Sequence, residues 1–314
     1  MSYYLYKTAA TLTAILPRKF CLALATLIGW LLYLGKRRDR LGLISNIRHL
    51  TAHSGKQVSE REIRRLARRV FPNFCKNLVD FFSMRRLSDE AILARTDFPD
   101  AALIAKLVGE GRGLILLTAH LGTWEVAGRV VVALGHNLNV VALKQPSEKM
   151  NELFQGQRRG GGMRVIAMGN AARGCLAALR RGQLVAIVCD RDFTAQRNLV
   201  PFFGKPARLP HGIARLAAAT GAPMLLGVCV RTPDESFRIL LGKPIFPRGD
   251  ERDASRMQRE ITTQLEFYVS QFPDQWFLFH DFWDIGKDIE ITHGAFKRAV
   301  RRTAGQDEIT PQKT

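Results

Sequence analysis

The sequence predicts an α/β fold, with a mainly parallel central sheet flanked by helices and an N-terminal hydrophobic membrane-anchoring helix in front of it. Three observations carry that expectation. From Leu114 onward, short apolar runs alternate with segments of helical period, the pattern of a parallel sheet covered on both faces. Near the N-terminus, Phe20 to Leu34 forms an unbroken apolar stretch of 15 residues. A dense group of Lys and Arg follows it at once.

In order along the chain, Tyr3 to Leu34 carries few charges, namely Lys7, Arg18 and Lys19. A bilayer span needs about 20 apolar residues. Phe20–Leu34 alone is short of that, and adding Thr8–Leu16 would bury Pro17, Arg18 and Lys19. A signal peptide competes, but no small-residue cleavage motif stands before Lys36. The expectation is therefore an uncleaved anchor lying in or partly through a membrane. Between Lys36 and Arg69 there are eleven basic and three acidic residues, which places the body on the cytoplasmic side. Ser59–Leu87 reads as a long helix with Ile63, Leu66, Val70, Phe74, Leu78 and Phe81 on one face. Ala101–Val108 reads as another.

Candidate strands are Leu114–Ala119, Leu138–Leu143, Arg164–Ala167, Leu184–Cys189, Met224–Val230 and Phe237–Leu241. Candidate helices between them are Glu125–Leu134, Lys149–Arg158, Ala171–Arg181 and Gly212–Ala219, with Ser255–Gln271 closing the domain. Four regions result: residues 1–35 as the anchor, 36–96 as a basic helical segment, 97–290 as the α/β domain, and 291–314 as a polar tail. No internal repeat is visible.

Composition narrows the classes. An apolar fraction of 46% over 314 residues allows a substantial core. A formal charge of +19 implies anionic partners, whether nucleic acid, an anionic membrane surface or an acidic protein. No nucleic-acid partner is expected, because no finger, basic-zipper or RNP-type motif occurs and the charge peaks beside an apolar segment. The five cysteines, Cys21, Cys75, Cys175, Cys189 and Cys229, have no C-x-x-C spacing, so no metal site is expected and they read as core residues of a reducing compartment. No cofactor is expected either.

The chemistry centres on His120 and Glu125. His120 closes the run Leu114–Ala119, Gly122 and Thr123 mark a turn, and Glu125 falls in the first turn of the next helix. In open α/β sheets that edge is where ligands bind. A histidine beside a carboxylate makes a general base at neutral pH. Inside one helix the two would point about 140° apart, at ~3.6 residues per turn, so they can meet only if the chain turns back at Gly122. The competing reading is a histidine that ends a strand and a glutamate that favours a helix N-terminus.

His120-x-x-x-x-Glu125 after an apolar strand resembles the signature of the lipid A biosynthesis (late) acyltransferase family, within the lysophospholipid acyltransferase-like superfamily. Asn77–Phe82 resembles that family's helix before the catalytic domain. Asp190–Phe193 with Val200–Ala207, Thr220–Pro223 and Asp274–Phe277 resemble its later blocks. The likeness spans about residues 1 to 285. It implies a membrane-associated O-acyltransferase of lipid metabolism at the cytoplasmic side of a cell inner membrane. The acyl donor would be acyl carrier protein or acyl-coenzyme A. The acceptor would be a hydroxyl of a lipid A precursor of lipopolysaccharide, or of another glycolipid or phospholipid. The segment Phe279–Trp283, without the basic residues frequent in relatives, leaves the acceptor open.

For that chemistry His120 would be the base and Glu125 would orient it. No G-x-S-x-G elbow occurs, which favours direct attack on a bound thioester. Backbone N–H groups near Gly122 are candidates for the oxyanion. Arg191 reads as a phosphate contact or a structural ion pair, and Asp190 and Asp192 as structural. Phe202 and Phe203, with Lys205 beside them, read as an acyl groove or as core. Arg158 and Arg159 read as an anion contact or a plain loop. Together with Lys205 and Arg208 they form the candidate docking patch for an acidic carrier protein.

Overall fold

The structure, a computed structural model, describes residues 2–55, 57–145, 147–192, 199–249 and 253–284. The polar tail at 291–314, and Phe193 of the second block, lie outside these residues. Four helices come first: α1 (Ser2–Ile15), α2 (Arg18–Gly35), α3 (Arg37–His53) and α4 (Glu60–Ser83). The short α5 (Asp89–Leu93), β1 (Thr96–Asp97) and α6 (Ala101–Gly109) lead into the sheet. Alternation then begins with β2 (Leu114–Thr118), α7 (Trp124–Ala133), β3 (Leu138–Ala142), α8 (Glu148–Gly160), β4 (Arg164–Ala167), α9 (Ala171–Arg180) and β5 (Leu184–Val188). A small antiparallel pair follows, β6 (Val200–Phe202) and β7 (Lys205–Ala207). The chain closes with α10 (Gly212–Thr220), β8 (Met224–Arg231), β9 (Phe237–Leu241) and α11 (Asp253–Gln271).

The main sheet runs β1-β9-β8-β2-β5-β3-β4. All neighbours are parallel except β8 and β9, which form an antiparallel hairpin. The expected α/β class and all six expected strands are therefore present, each within one or two residues of its predicted end. Strand β2 sits at the centre and is buried along most of its length, as a parallel strand covered on both faces should be. Its register with β5 runs to Thr118 opposite Val188. Two residues further on, the strands deliver His120 and Asp190 to the same sheet edge.

Pro17 separates α1 from α2 and explains why the N-terminal apolar segment is two helices. Helix α2 lies against α4. Cys21, Leu22, Ala25, Gly29 and Tyr33 face inward, while Phe20, Leu27, Leu31 and Leu34 are exposed. Gly29 makes the close approach possible, because a Cβ there would stand 2.4 Å from the Cα of Pro72 in α4. Arg18, an awkward residue for any membrane span, is satisfied within the protein. It pairs with Asp80 at 3.0 Å and donates to the carbonyl of Glu235 at 2.8 Å. Asp80 also holds Arg231, and Glu235 holds Lys76 and Arg231, so α2, α4 and the β8–β9 turn share one buried ion network. Helix α4 starts at Ser59, whose hydroxyl accepts from the Glu62 N–H, and its far end carries Phe81 and Phe82 into the core beneath the sheet.

Replacing Gly29 with Leu should push α2 off α4. Overpacking of this kind costs about 1–3 kcal/mol, so the purified variant in detergent should melt several degrees below the wild type.

Candidate active site

Asp190 is fully buried at the end of β5, and its carboxylate organises the site. One oxygen accepts the His120 backbone N–H at 2.9 Å and the Trp276 indole N–H at 3.0 Å. The other lies 2.8 Å from His120 Nδ1. Burial pushes this carboxyl up, but the His120 charge, its ring and backbone hydrogen bonds and the Trp276 bond together hold it below the ordinary carboxylate range. An ionised carboxylate can only accept. Nδ1 of His120 therefore carries a proton, which leaves Nε2 as the ring nitrogen that does not face Asp190. The ring is about a quarter exposed and rests edge-on against Trp124, at 5.2 Å between centroids.

The turn after His120 is pinned from three sides. Its carbonyl accepts from Phe277 N–H at 2.8 Å, Gly122 N–H donates to the Gln275 carbonyl at 2.8 Å, and Thr123 N–H donates to the Cys229 carbonyl at 2.6 Å. Gly122 has φ +62°, and a Cβ there would stand 2.1 Å from the Cys229 carbonyl oxygen, so only glycine fits.

Two expectations change here. Glu125 does not hold the ring, because the partner of Nδ1 is Asp190. Glu125 instead pairs with Arg158, whose Nη2 lies 2.5 Å from one carboxylate oxygen and whose Nε lies 3.1 Å from both. The physical reason is the register: β2 and β5 run side by side, whereas Glu125 sits on the helix beyond the turn. Of the backbone N–H groups near Gly122, expected as candidates for the oxyanion, those of His120, Gly122 and Thr123 are engaged by the protein itself.

His120, Trp124, Glu125 and Arg158 border a cavity of about 610 Å³ between the sheet and helices α1, α4, α7 and α8. Its walls are largely apolar, with Leu116, Val131, Leu138, Val140, Phe81 and Phe154 among them. Tyr6 of α1 joins the wall, edge-on to Phe154 at 5.3 Å. Neither Phe202 nor Phe203 is among the lining residues. Both are buried in the main core, where Phe202 packs against Trp276, Phe282 and Trp283. Lys205 is exposed on β7, away from the cavity lining. Arg191 is half-buried just beyond β5. Arg158 and Arg159 close helix α8 rather than a loop, and Arg159 pairs with Glu152 at the surface. The docking patch expected from Arg158, Arg159, Lys205 and Arg208 is not assembled as such, since Arg158 is held by Glu125 and Arg208 is buried.

The sheet edge thus holds a histidine bonded to a buried carboxylate, and this histidine borders a largely apolar cavity. The profile of the bacterial lipid A biosynthesis acyltransferase family matches residues 1–284, and the chain belongs to that family, as the motifs had indicated. Among curated proteins it is 31% identical over 144 residues to a phosphatidylinositol mannoside acyltransferase of Mycobacterium tuberculosis, covering 45% of this chain and 44% of that one. A protein of the same name from Mycolicibacterium smegmatis is 25% identical over 179 residues, covering 55% and 57%. The chain thus matches about half the length of these relatives. A solved 1-acyl-sn-glycerophosphate acyltransferase from Thermotoga maritima aligns over 81% of this chain and 98% of its own, with a TM-score of 0.37 and 11% identity.

Asp190 sits on the depressed side of its ordinary pKa, so its stabilising contribution is fully present above the unfolded value of about 3.9. It begins to fall below that pH and is gone once the folded carboxyl protonates. The stability difference between the wild type and Asp190→Asn, measured by thermal melts, should therefore be largest near neutrality and shrink as the pH drops below about 4.

Proposed function

We propose that this protein is a membrane-associated O-acyltransferase that moves a fatty acyl chain from a thioester donor to a hydroxyl of a sugar-bearing membrane lipid. The observation that carries this reading is the apolar cavity bordered by His120. A chain lying in it would present its carbonyl carbon near Nε2. The acceptor hydroxyl attacks that carbon while Nε2 takes its proton. The tetrahedral oxyanion then collapses, the C–S bond breaks, and the leaving thiolate recovers the proton from Nε2. Asp190 keeps the ring in the required tautomer and offsets the imidazolium charge. Glu125 and Arg158 form the rim of the same site. Acyl carrier protein is the donor we favour, since an acidic carrier suits a chain of charge +19, with acyl-coenzyme A as the alternative.

A lipid A precursor is the acceptor suggested by the family, and a mannosylated glycolipid is suggested by the curated relatives. Incubating purified protein with acyl carrier protein or coenzyme A thioesters and a panel of both acceptors, followed by mass spectrometry, decides between them. His120→Ala and Asp190→Asn should each lower turnover roughly 10²–10⁴-fold. A His120→Ala protein with full turnover would remove His120 from the mechanism.

We further propose that residues 1–35 anchor the protein to the cytoplasmic face of the inner membrane. Helix α2 is long and apolar enough to cross a bilayer by length and composition. Its inner face packs on α4, whose Arg68 stacks on Trp30 and Tyr33, and this supports a helix lying along the interface. The exposed side chains Leu27, Leu31 and Leu34 are then the membrane contacts. Replacing all three with Glu should release the protein from anionic vesicles in sedimentation assays while its melting temperature holds. Unchanged sedimentation at high salt would place the anchor elsewhere.

A further inference from the structure

Acyl transfer through a tetrahedral intermediate needs a donor for the oxyanion, and in the turn after His120 the N–H groups of His120, Gly122 and Thr123 are already bonded within the protein. A different group borders the cavity. Asn77 of α4 is 3% exposed, lines the same cavity as His120, and has its Oδ1 buried without a hydrogen-bond partner among the described residues.

The surroundings of Asn77 locate it further. It shares a face of α4 with Phe74, three residues before it, and Phe81, four residues after it. Phe74 touches Phe277 at 5.5 Å, and Phe277 lies 6.1 Å from Trp124, the ring that backs His120. Arg158, the partner of Glu125, stacks over Phe81 at 5.7 Å. The α4 face that carries Asn77 thus reaches the Trp124 side of the cavity through Phe74 and Phe277, and Arg158 through Phe81. Its neighbours on this wall, Phe74, Leu78 and Phe81, are apolar. A leucine would fill the position without leaving an amide unsatisfied, and buried amides are ordinarily paired. Oδ1 can only accept, so the end of this carboxamide that could meet an acceptor atom of a bound substrate is its NH2 group. A fatty acyl chain brings one polar atom into such a cavity, its carbonyl oxygen.

We propose that Asn77 is a catalytic residue whose carboxamide N–H donates to the carbonyl oxygen of the bound acyl thioester. The proposal rests on the acyltransferase reading. As the acceptor oxygen bonds to the carbonyl carbon and its proton passes to His120 Nε2, the π electrons move onto the carbonyl oxygen. The Asn77 hydrogen bond strengthens with that charge and relaxes when the C–S bond breaks and the thiolate leaves.

The test compares the wild type with Asn77→Leu and Asn77→Asp. Each is assayed with acyl carrier protein and coenzyme A thioesters for transfer to acceptor and for slow donor hydrolysis by water. Removing one oxyanion donor lowers kcat about 10²–10³-fold. Transfer and hydrolysis should fall together by that factor, with the donor KM within a few-fold and the melting temperature of Asn77→Leu equal to or above that of the wild type. Asn77→Asp keeps the shape but lacks the N–H at neutral pH, and so decides the matter if the leucine variant does not fold. Loss of transfer with hydrolysis intact would assign the amide to the acceptor and overturn the proposal. Retained rates in both variants would also overturn it, in favour of the first-turn N–H groups of α7, while leaving the acyltransferase reading in place. A wild type that neither transfers nor hydrolyses any thioester would bring down both.

Discussion

The carboxylate of Asp190 is the constraint on which the site depends. It is fully buried, and an isolated ionised carboxylate in that position would be strongly disfavoured. Three N–H donors make it tolerable: one from the backbone of His120, one from its ring and one from Trp276. Each donor comes from a different requirement of the fold. The strand pairing brings the His120 backbone, the turn at Gly122 directs the ring, and the segment after α11 brings the indole. Loss of any one leaves the charge under-solvated, so the geometry of the His120 ring and the packing of three elements are set together.

The same logic explains why a second carboxylate stands close by without sharing the histidine. Glu125 is nearly buried, and so is Arg158, with about a tenth of each side chain exposed. A buried ion pair contributes little net stability, but removing one partner strands the other. Glu125 instead has its own guanidinium, which leaves an ordered charge pair in the lining of an otherwise largely apolar cavity.

Much of this was legible from the sequence because parallel strands announce themselves as apolar runs. Once Leu114–Ala119 and Leu184–Cys189 are read as strands, the residues that end them fall at one sheet edge. What periodicity does not carry is which strands are neighbours. The sheet places β5 directly beside β2, although β3 and β4 lie between them in sequence, and that adjacency gives Asp190 the role the sequence reading assigned to Glu125. Phe202 and Phe203 show the opposite difficulty. An aromatic pair beside a lysine reads equally well as groove or core, and only the packing of Trp276, Phe282 and Trp283 against Phe202 decides it. Asn77 was visible only as part of a motif, since a missing hydrogen-bond partner is a property of three-dimensional surroundings.

The N-terminal helices join the two halves of the proposed chemistry. Composition treats the first 35 residues as a tether, separable from the body. In the folded chain, Tyr6 of α1 forms part of the cavity wall and Ala9 and Ala10 pack on the same cluster, while Arg18 of α2 reaches the ion network beneath β8. One segment therefore carries both an exposed apolar face and a wall of the cavity proposed to hold the acyl chain. On the function proposed, the helices that would hold the protein at the bilayer would also fix the cavity relative to the lipid surface, so an acceptor hydroxyl would need to travel only within the plane of the membrane to reach His120.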